Sequence, residues 1–424
     1  MESSKRGVLH LISFLKKLDK FSILPIYFRF EYFLKDCTIQ YATKLKHGIL
    51  NFVLFSEMIF VLPLEVWADE WVFSQSGTAG QYYGIMETRD RNNLRNLSNR
   101  AVFRADGRAE GAYLTSVGSQ LGVHADYTIV YRQHDKNYSE GDWRFYPYLS
   151  AENRDYGRLT TGYSYNAAYL LHQGADKISW VGIQDSNLTY FLSSANWKNS
   201  FKSVKFATQK STHILDDGRA LKFSYFTPEI ANTQFGFSYT PDNANRRGMV
   251  SRYVHYQTTE DGYTAAILNK WKLPAGTFYT SGAYGMFNRT DKEWAAGVRW
   301  VSGGFNISAS YKKSYIDGKR NPISTQALSP YLPAFFDNYR EGQAWDFGIG
   351  YDFGRFKTNL AYLHTEAENT RHRNDLLVQE NRFALNRYFD LFLINGFINS
   401  KGLTRNSNDN NKGYTVISGI ALKY

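Results

Sequence analysis

Five arginines, Arg104, Arg108, Arg132, Arg144 and Arg158, stand in stretches where apolar and polar residues alternate. A guanidinium stays protonated and only donates hydrogen bonds, so it supplies field and anion contact rather than proton transfer. Asp106, Glu110 and Asp126 lie close enough in sequence to give these arginines a plainer role, as paired and solvated groups of a polar face. Residues capable of covalent chemistry do not assemble into a motif. There is no His-Glu-x-x-His helix, no Gly-x-Ser-x-Gly elbow and no phosphate-cradling glycine loop. His124, His255 and His364 are scattered singly, and Asp216 with His213 lacks a third partner for a hydrolytic constellation. The single cysteine, Cys37, excludes a disulfide scaffold or a Cys-rich metal site. The expectation is a protein that is not an enzyme and carries neither a metal nor a cofactor.

The elements that position these residues are strands. The chain has 424 residues, a formal charge of +11, 17% aromatic residues and 33 Gly against 9 Pro. Its mean hydropathy of −0.46 excludes a polytopic helical membrane protein. From residue 79 onward the period is two. Trp345, Phe347, Ile349, Tyr351 and Phe353 alternate with Asp346, Gly348, Gly350 and Asp352, and Val123 to Arg132 and Phe305 to Lys312 read the same way. Segments of about 9–11 residues, flanked by aromatic residues and joined by alternating tight turns and long loops, fit a membrane barrel rather than a soluble sandwich. The long loops fall at 133–142, 241–247, 287–292, 314–342, 367–382 and 397–412. The fold expected is all-β, a transmembrane antiparallel β-barrel of sixteen strands. One strand is placed near 248–257 and a single one near 383–396, and the last alternates from Tyr414 to Tyr424 to close the wall. Residues 166–217 interrupt the rhythm and are read as a long loop; a hairpin there would raise the count to eighteen.

Residues 1–68 are a different kind of text. Lys44, Lys46 and His47 precede the apolar run GILNFVLFSEMIFVLPL, and Val66-Trp67-Ala68 follows. This is the pattern of a secretory signal peptide, and Glu57 within the run would be costly in a permanent span. The expected domain boundaries are therefore a leader at 1–68 and a barrel domain at 69–424. The stretch upstream of Lys44 points to a start placed too far upstream. A mature chain from Asp69 contains no cysteine, as befits a bacterial envelope protein.

Within 79–424 the chain resembles the Gram-negative general porin family in its sixteen-stranded alphaproteobacterial form. The similar segments are KFSYFTPEIANTQFGFSYTPD at 222–242, RFYPYLSAENRDYGRLTTGYS at 144–164, AWDFGIGYDFGRFKTNLAYLH and the closing KGYTVISGIALKY. The resemblance implies a homotrimeric, water-filled diffusion channel of the outer membrane, narrowed by a third loop folded into the lumen. It also implies acidic residues on that loop facing basic ones on the wall. Asp176 and Asp185 would then oppose the five arginines and set up a transverse field. The acidic Pro-Glu-Phe-Gly-Gly-like segment of enterobacterial members is absent, and the loop carries Lys177, Lys198, Lys202, Lys205 and Lys210.

On the inferred lumen faces the five arginines with Lys222, Lys270, Arg299, Lys312 and Lys357 outnumber Asp106, Glu110, Asp126, Glu293, Asp346 and Asp352. A mild anion preference follows. The expected partners are small hydrophilic solutes, ions, outer-membrane lipid and lipopolysaccharide phosphates. Nucleic acid is not among them, because the basic residues are interleaved along strands rather than clustered. Rival readings are a substrate-selective sugar or peptide channel, marked by an aromatic ladder in the lumen, and a non-conducting surface barrel or adhesin acting through 314–342 and 367–382. A barrel hydrolase is a more distant alternative.

Overall fold

The computed structural model describes residues 71–424 other than 91–94, 116–117, 134–138, 185–187, 193–210, 216, 243–249, 252–260, 288, 317–340, 369–372 and 402–410. The leader 1–68, including its cleavage site, lies outside the described residues, as does Asp185. Described strands are β1 (Trp71–Asp90), β2 (Arg95–Leu114), β3 (Ser119–Gln133), β4 (Ser139–Asn153), β5 (Gly157–Tyr163), β6 (Leu221–Phe226), β7 (Thr233–Thr240) and β8 (Val250–Ser251). They continue as β9 (Gly262–Leu273), β10 (Gly276–Phe287), β11 (Asp291–Ser302), β12 (Phe305–Ile316) and β13 (Gly342–Asp352). The last four are β14 (Phe356–Ala367), β15 (Arg373–Ala384), β16 (Phe389–Lys401) and β17 (Asn411–Lys423). Two short helices, α1 (Ala167–Leu171) and α2 (Leu188–Leu192), belong to the connection between β5 and β6.

Every pairing is antiparallel, and β1 closes on β17 from Thr78↔Lys423 to Asp90↔Asn411. β7 pairs directly with β9, from Thr233↔Asn269 to Thr240↔Gly262. The two-residue β8 pairs instead with Arg144 and Phe145 of β4, so it stands outside the ring. The wall is thus a closed sixteen-stranded barrel. A strand of 12 residues such as β10, at ~3.3 Å per residue and a tilt of about 45°, climbs roughly 28 Å, enough to cross the apolar band of an outer membrane.

Two sequence expectations fail, and they cancel in the count. Of the strand expected near 248–257 only Val250–Ser251 are described, and they pair with β4 while β7 passes directly to β9 in the ring. The single strand expected near 383–396 is a hairpin, β15 and β16, whose first arm occupies most of the expected loop 367–382. The cause lies in the faces. Leu377, Leu391, Leu393 and Phe397 point outward and are exposed, while Leu376, Val378, Ile394 and Ile398 point inward and are buried. Where both faces are apolar the period of two disappears, and the turn at 385–388, closed by Asn386 Oδ1 accepting from the Tyr388 and Phe389 amides, has only that one residue to mark it. Across the rest of the wall the outer face is apolar, with Phe223, Phe237, Trp294, Phe347 and Leu360 among its exposed residues.

Candidate functional site: the loop-narrowed lumen

The 166–217 connection enters the barrel and is tied down by the wall. It begins with α1, whose N-cap Asn166 accepts a hydrogen bond from the Tyr169 amide through its side chain at 2.7 Å. Ala167, Ala168 and Leu171 pack with Ile214 against Phe226, Ala266, Phe287 and Ala295 of the wall. The chain then runs along β10 to β15. The Gln173 amide donates to Ser281 Oγ at 2.9 Å, and the Ala175 amide to Asp346 Oδ1 at 2.8 Å. A Cβ at Gly297 would lie 1.8 Å from the Gln173 carbonyl oxygen, so only glycine lets loop and wall approach this closely.

Two buried wall carboxylates receive the loop. Glu380 accepts from the Ser179 amide at 2.8 Å and the Ser179 hydroxyl at 2.7 Å. Asp346 Oδ2 accepts from Gln184 Nε2 at 2.6 Å and from the Thr212 and Ser310 hydroxyls. Neither carboxylate faces a basic side chain in these contacts; multiple N–H and O–H donors satisfy them instead.

Beyond Ser179 the loop turns apolar. Trp180, Val181, Ile183, Leu188 and Phe191 form one core with Met86, Val102, Val130, Leu363, Leu376, Val378, Ile394, Ile398 and Ile417. Tyr190 ends this seal against β2 and β3. Arg100 and Arg132 lie 5.1 and 5.7 Å from its ring centre, Arg100 donates to its carbonyl, and its hydroxyl donates to the Gln133 carbonyl at 3.1 Å.

Arg104, Arg108 and Arg144 are held by carboxylates of their own wall. Arg104 forks onto Asp106, with Nη2–Oδ1 2.7 Å, and lies 5.5 Å from the Trp180 ring centre. Arg108 reaches Asp126 at 2.6 Å, and Arg144 reaches Asp142 at 2.6 Å. Arg158 lies over the Phe226 ring at 4.5 Å. Sequence reasoning missed Arg219, which shares Asp126 with Arg108 at 2.5 Å and sits 3.9 Å from the Tyr146 and 4.8 Å from the Tyr165 ring centre. It stands in the loop's returning root, where no alternation marks which way it faces.

Asp176 does not meet these arginines. Its Oδ2 accepts from Arg299 Nη2 at 3.1 Å and Asn306 Nδ2 at 3.0 Å, with Lys357 Nζ at 3.8 Å. Lys312 pairs with Glu293 at 3.4 Å. Lys222, counted from sequence among the lumen charges, is fully buried beside Asp217.

A closed sixteen-stranded barrel with a long inward loop and a charged lumen is the frame of a diffusion channel, and the sequence carries its family signature: residues 74–414 match the family model described as Gram-negative porin. The chain belongs to that family. This porin is accordingly a β-barrel channel protein of the bacterial outer membrane, passing ions and small hydrophilic solutes through a water-filled pore. Its fold is similar to that of the anion-selective porin from Comamonas acidovorans, at a TM-score of 0.50 and 12% identity over 84% of this chain and 100% of that one. A mutant porin of Rhodopseudomonas blastica aligns at a TM-score of 0.44 and 12% identity, covering 83% of this chain and all of the other. A search of curated proteins finds no match.

Proposed function

We propose that this porin is a general diffusion channel with a mild preference for anions, assembled as a homotrimer after removal of residues 1–68. The observation that carries the preference is the cation-rich patch formed by β2, β4 and the returning root of the loop. Arg104, Arg108, Arg144 and Arg219 share three carboxylates, Asp106, Asp126 and Asp142. Arg108 keeps a side-chain exposure of 48%. The apolar seal covers inward faces of β13 to β17 and β1 and meets β2 and β3 at Val102 and Val130, which leaves the half-exposed Arg108 beside the water path. Asp176, already paired with Arg299, contributes little opposing field. The anion selectivity stated for the Comamonas porin agrees with this reading.

A ligand-specific channel would need free aromatic faces in the lumen. Tyr165 is stacked on Tyr169 at 4.1 Å and carries Arg219, and Tyr148 is stacked on His124 at 4.4 Å, so these rings are engaged with protein. The adhesin reading loses part of its surface, because 373–382 is wall strand. The test is single-channel recording in a planar bilayer under a potassium chloride gradient. A reversal potential on the chloride side, with steps closing in threes, is the expected result; a cation-selective potential sinks the preference. N-terminal sequencing of the protein from outer membranes should begin at Asp69.

A further inference from the structure

The two roots of the inward loop meet on one buried ammonium. Lys222 Nζ, on β6, donates to the Ser164 carbonyl at 2.6 Å on the departing root and to the Ala220 and Gly218 carbonyls at 3.0 and 3.1 Å on the returning root. Asp217 Oδ2 lies 3.5 Å away, and both side chains have no exposure to solvent. Asp217 then ties the roots to each other and to the wall. Its Oδ1 accepts from Asn166 Nδ2 at 2.6 Å, and its Oδ2 from Thr240 Oγ1 on β7 at 2.8 Å. Asn166 Nδ2 also donates to the Ile214 carbonyl at 3.2 Å, and the Ala167 amide to Ser238 Oγ at 2.8 Å.

An ammonium has three N–H donors and no acceptor. Here all three meet backbone carbonyls from the two ends of the loop, with a carboxylate balancing the charge. Removing the ammonium leaves three buried carbonyls without that donor and Asp217 without its counter-charge, which is the costly half of a buried ion pair.

We infer that Lys222 is a positioning residue for conduction: a clasp that fixes where the loop leaves and re-enters the wall, and through it the width of the pore. The clasp acts independently of the tip anchors Asp346 and Glu380, which lie on β13 and β15. It rests on the channel reading above, because its effect on conduction is an effect on loop position. Lys222 therefore contributes geometry to the pore and no field to its water.

The experiment compares the full-length porin with Lys222→Ala and Thr240→Val in planar bilayers. Heat-dependent electrophoretic mobility verifies that each barrel is folded. Lys222→Ala should close roughly tenfold more often at a given voltage, as loss of a set of charged hydrogen bonds implies. Propylammonium chloride has the chemistry of the deleted side chain and should quiet the variant while leaving the wild type unchanged. Thr240→Val removes one bond to Asp217 and should show a weaker form of the same flicker. Wild-type gating in both folded variants overturns the clasp, and so does flicker that propylammonium leaves untouched. If Lys222→Ala fails to fold, wild-type gating of Thr240→Val overturns it alone. Hydrogen exchange at the Ala167 and Tyr169 amides gives a readout independent of conduction: it should quicken in the variants and slow again with propylammonium. A silent wild type with quickened exchange in the variants would sink the channel reading and keep the clasp; conduction with unchanged exchange would do the reverse.

Discussion

Asp126 is the residue on which the wall's charge turns. It accepts from Arg108 at 2.6 Å and from Arg219 at 2.5 Å, so one carboxylate offsets two guanidiniums. Its neutralisation leaves both cations without their partner. Asp126→Asn should therefore move the reversal potential further toward that of chloride, whereas Arg108→Ala should move it the opposite way. Because Arg108 is 48% exposed, its pairing is screened by water, and the effect on stability is small beside the effect on permeating ions. Equal shifts of one sign in both variants would contradict the assignment. The inward direction of Arg104, Arg108 and Arg144 was legible in the sequence, because alternation decides which residues share a face. Their partners were only half legible. Asp106 and Asp126 stood as the plainer alternative, but that Asp176 would turn to Arg299 depends on where a long loop lands, which no local pattern encodes. Lys222 obeyed the alternation and still left the water, since the loop roots close over it.

At the scale of the element, the inward loop is a second layer with a core of its own. Its apolar stretch and the lumen faces of β13 to β17 explain each other: a wall facing water would need polar residues there, and Leu376, Val378, Ile394 and Ile398 instead face the loop. The same fact hid the β15–β16 hairpin, whose runs Leu376–Val378 and Leu391–Ile394 put apolar residues on both faces and break the period of two. The loop also holds a titratable pair. His172 and His213 meet edge to face at 4.8 Å, and His172 Nε2 lies 3.2 Å from Thr212 Oγ1. Burial, with Lys177 and Lys312 nearby, pushes His213 down to about 3; burial, with His213 and Lys312 nearby, also holds His172 well below the usual imidazole value. A seated loop thus binds fewer protons than a released one once the pH falls below the ordinary value of 6.5. Seating is fully stable above that value and loses about 1.4 kcal/mol per imidazole for each pH unit below it, while the buried ring stays neutral. Acidification from neutrality should raise the frequency of closures, and His213→Phe, which keeps a ring against Tyr169, should flatten that dependence. Identical closure rates in wild type and variant across the acid range would remove the imidazoles from the account.

At the scale of the whole molecule, the ring has sixteen strands although β7 passes directly to β9 and one expected strand is two. The count survived because these two differences offset one another, and the closing strand was unambiguous in sequence. Its alternation from Tyr414 to Tyr424 maps onto the pairing of β17 with β1. The seam ends on Tyr424. Its amide donates to the Gly77 carbonyl at 3.1 Å, and the Gly77 amide returns to the Tyr424 carbonyl at 2.9 Å. The two hydroxyls of Tyr424 and Tyr127 meet at 2.6 Å, a bond from the last residue to β3 across β1 and β2. The ring lies over Gly77, where a Cβ would come within 2.6 Å of it, so the side chain fits the seam only because that position has none. Tyr424→Ala keeps the backbone bonds and deletes the ring and the hydroxyl bridge, a loss of about 1–3 kcal/mol. Since every other pair of neighbours in the wall is untouched, conductance and selectivity should stay at wild-type values. The temperature at which the folded band is lost on electrophoresis should fall. An unchanged temperature would mean that the seam is held by its backbone ladder alone, and a changed conductance would mean that strain at the seam reaches the inward loop, whose apolar stretch packs with Met86 and Ile417 of the seam strands.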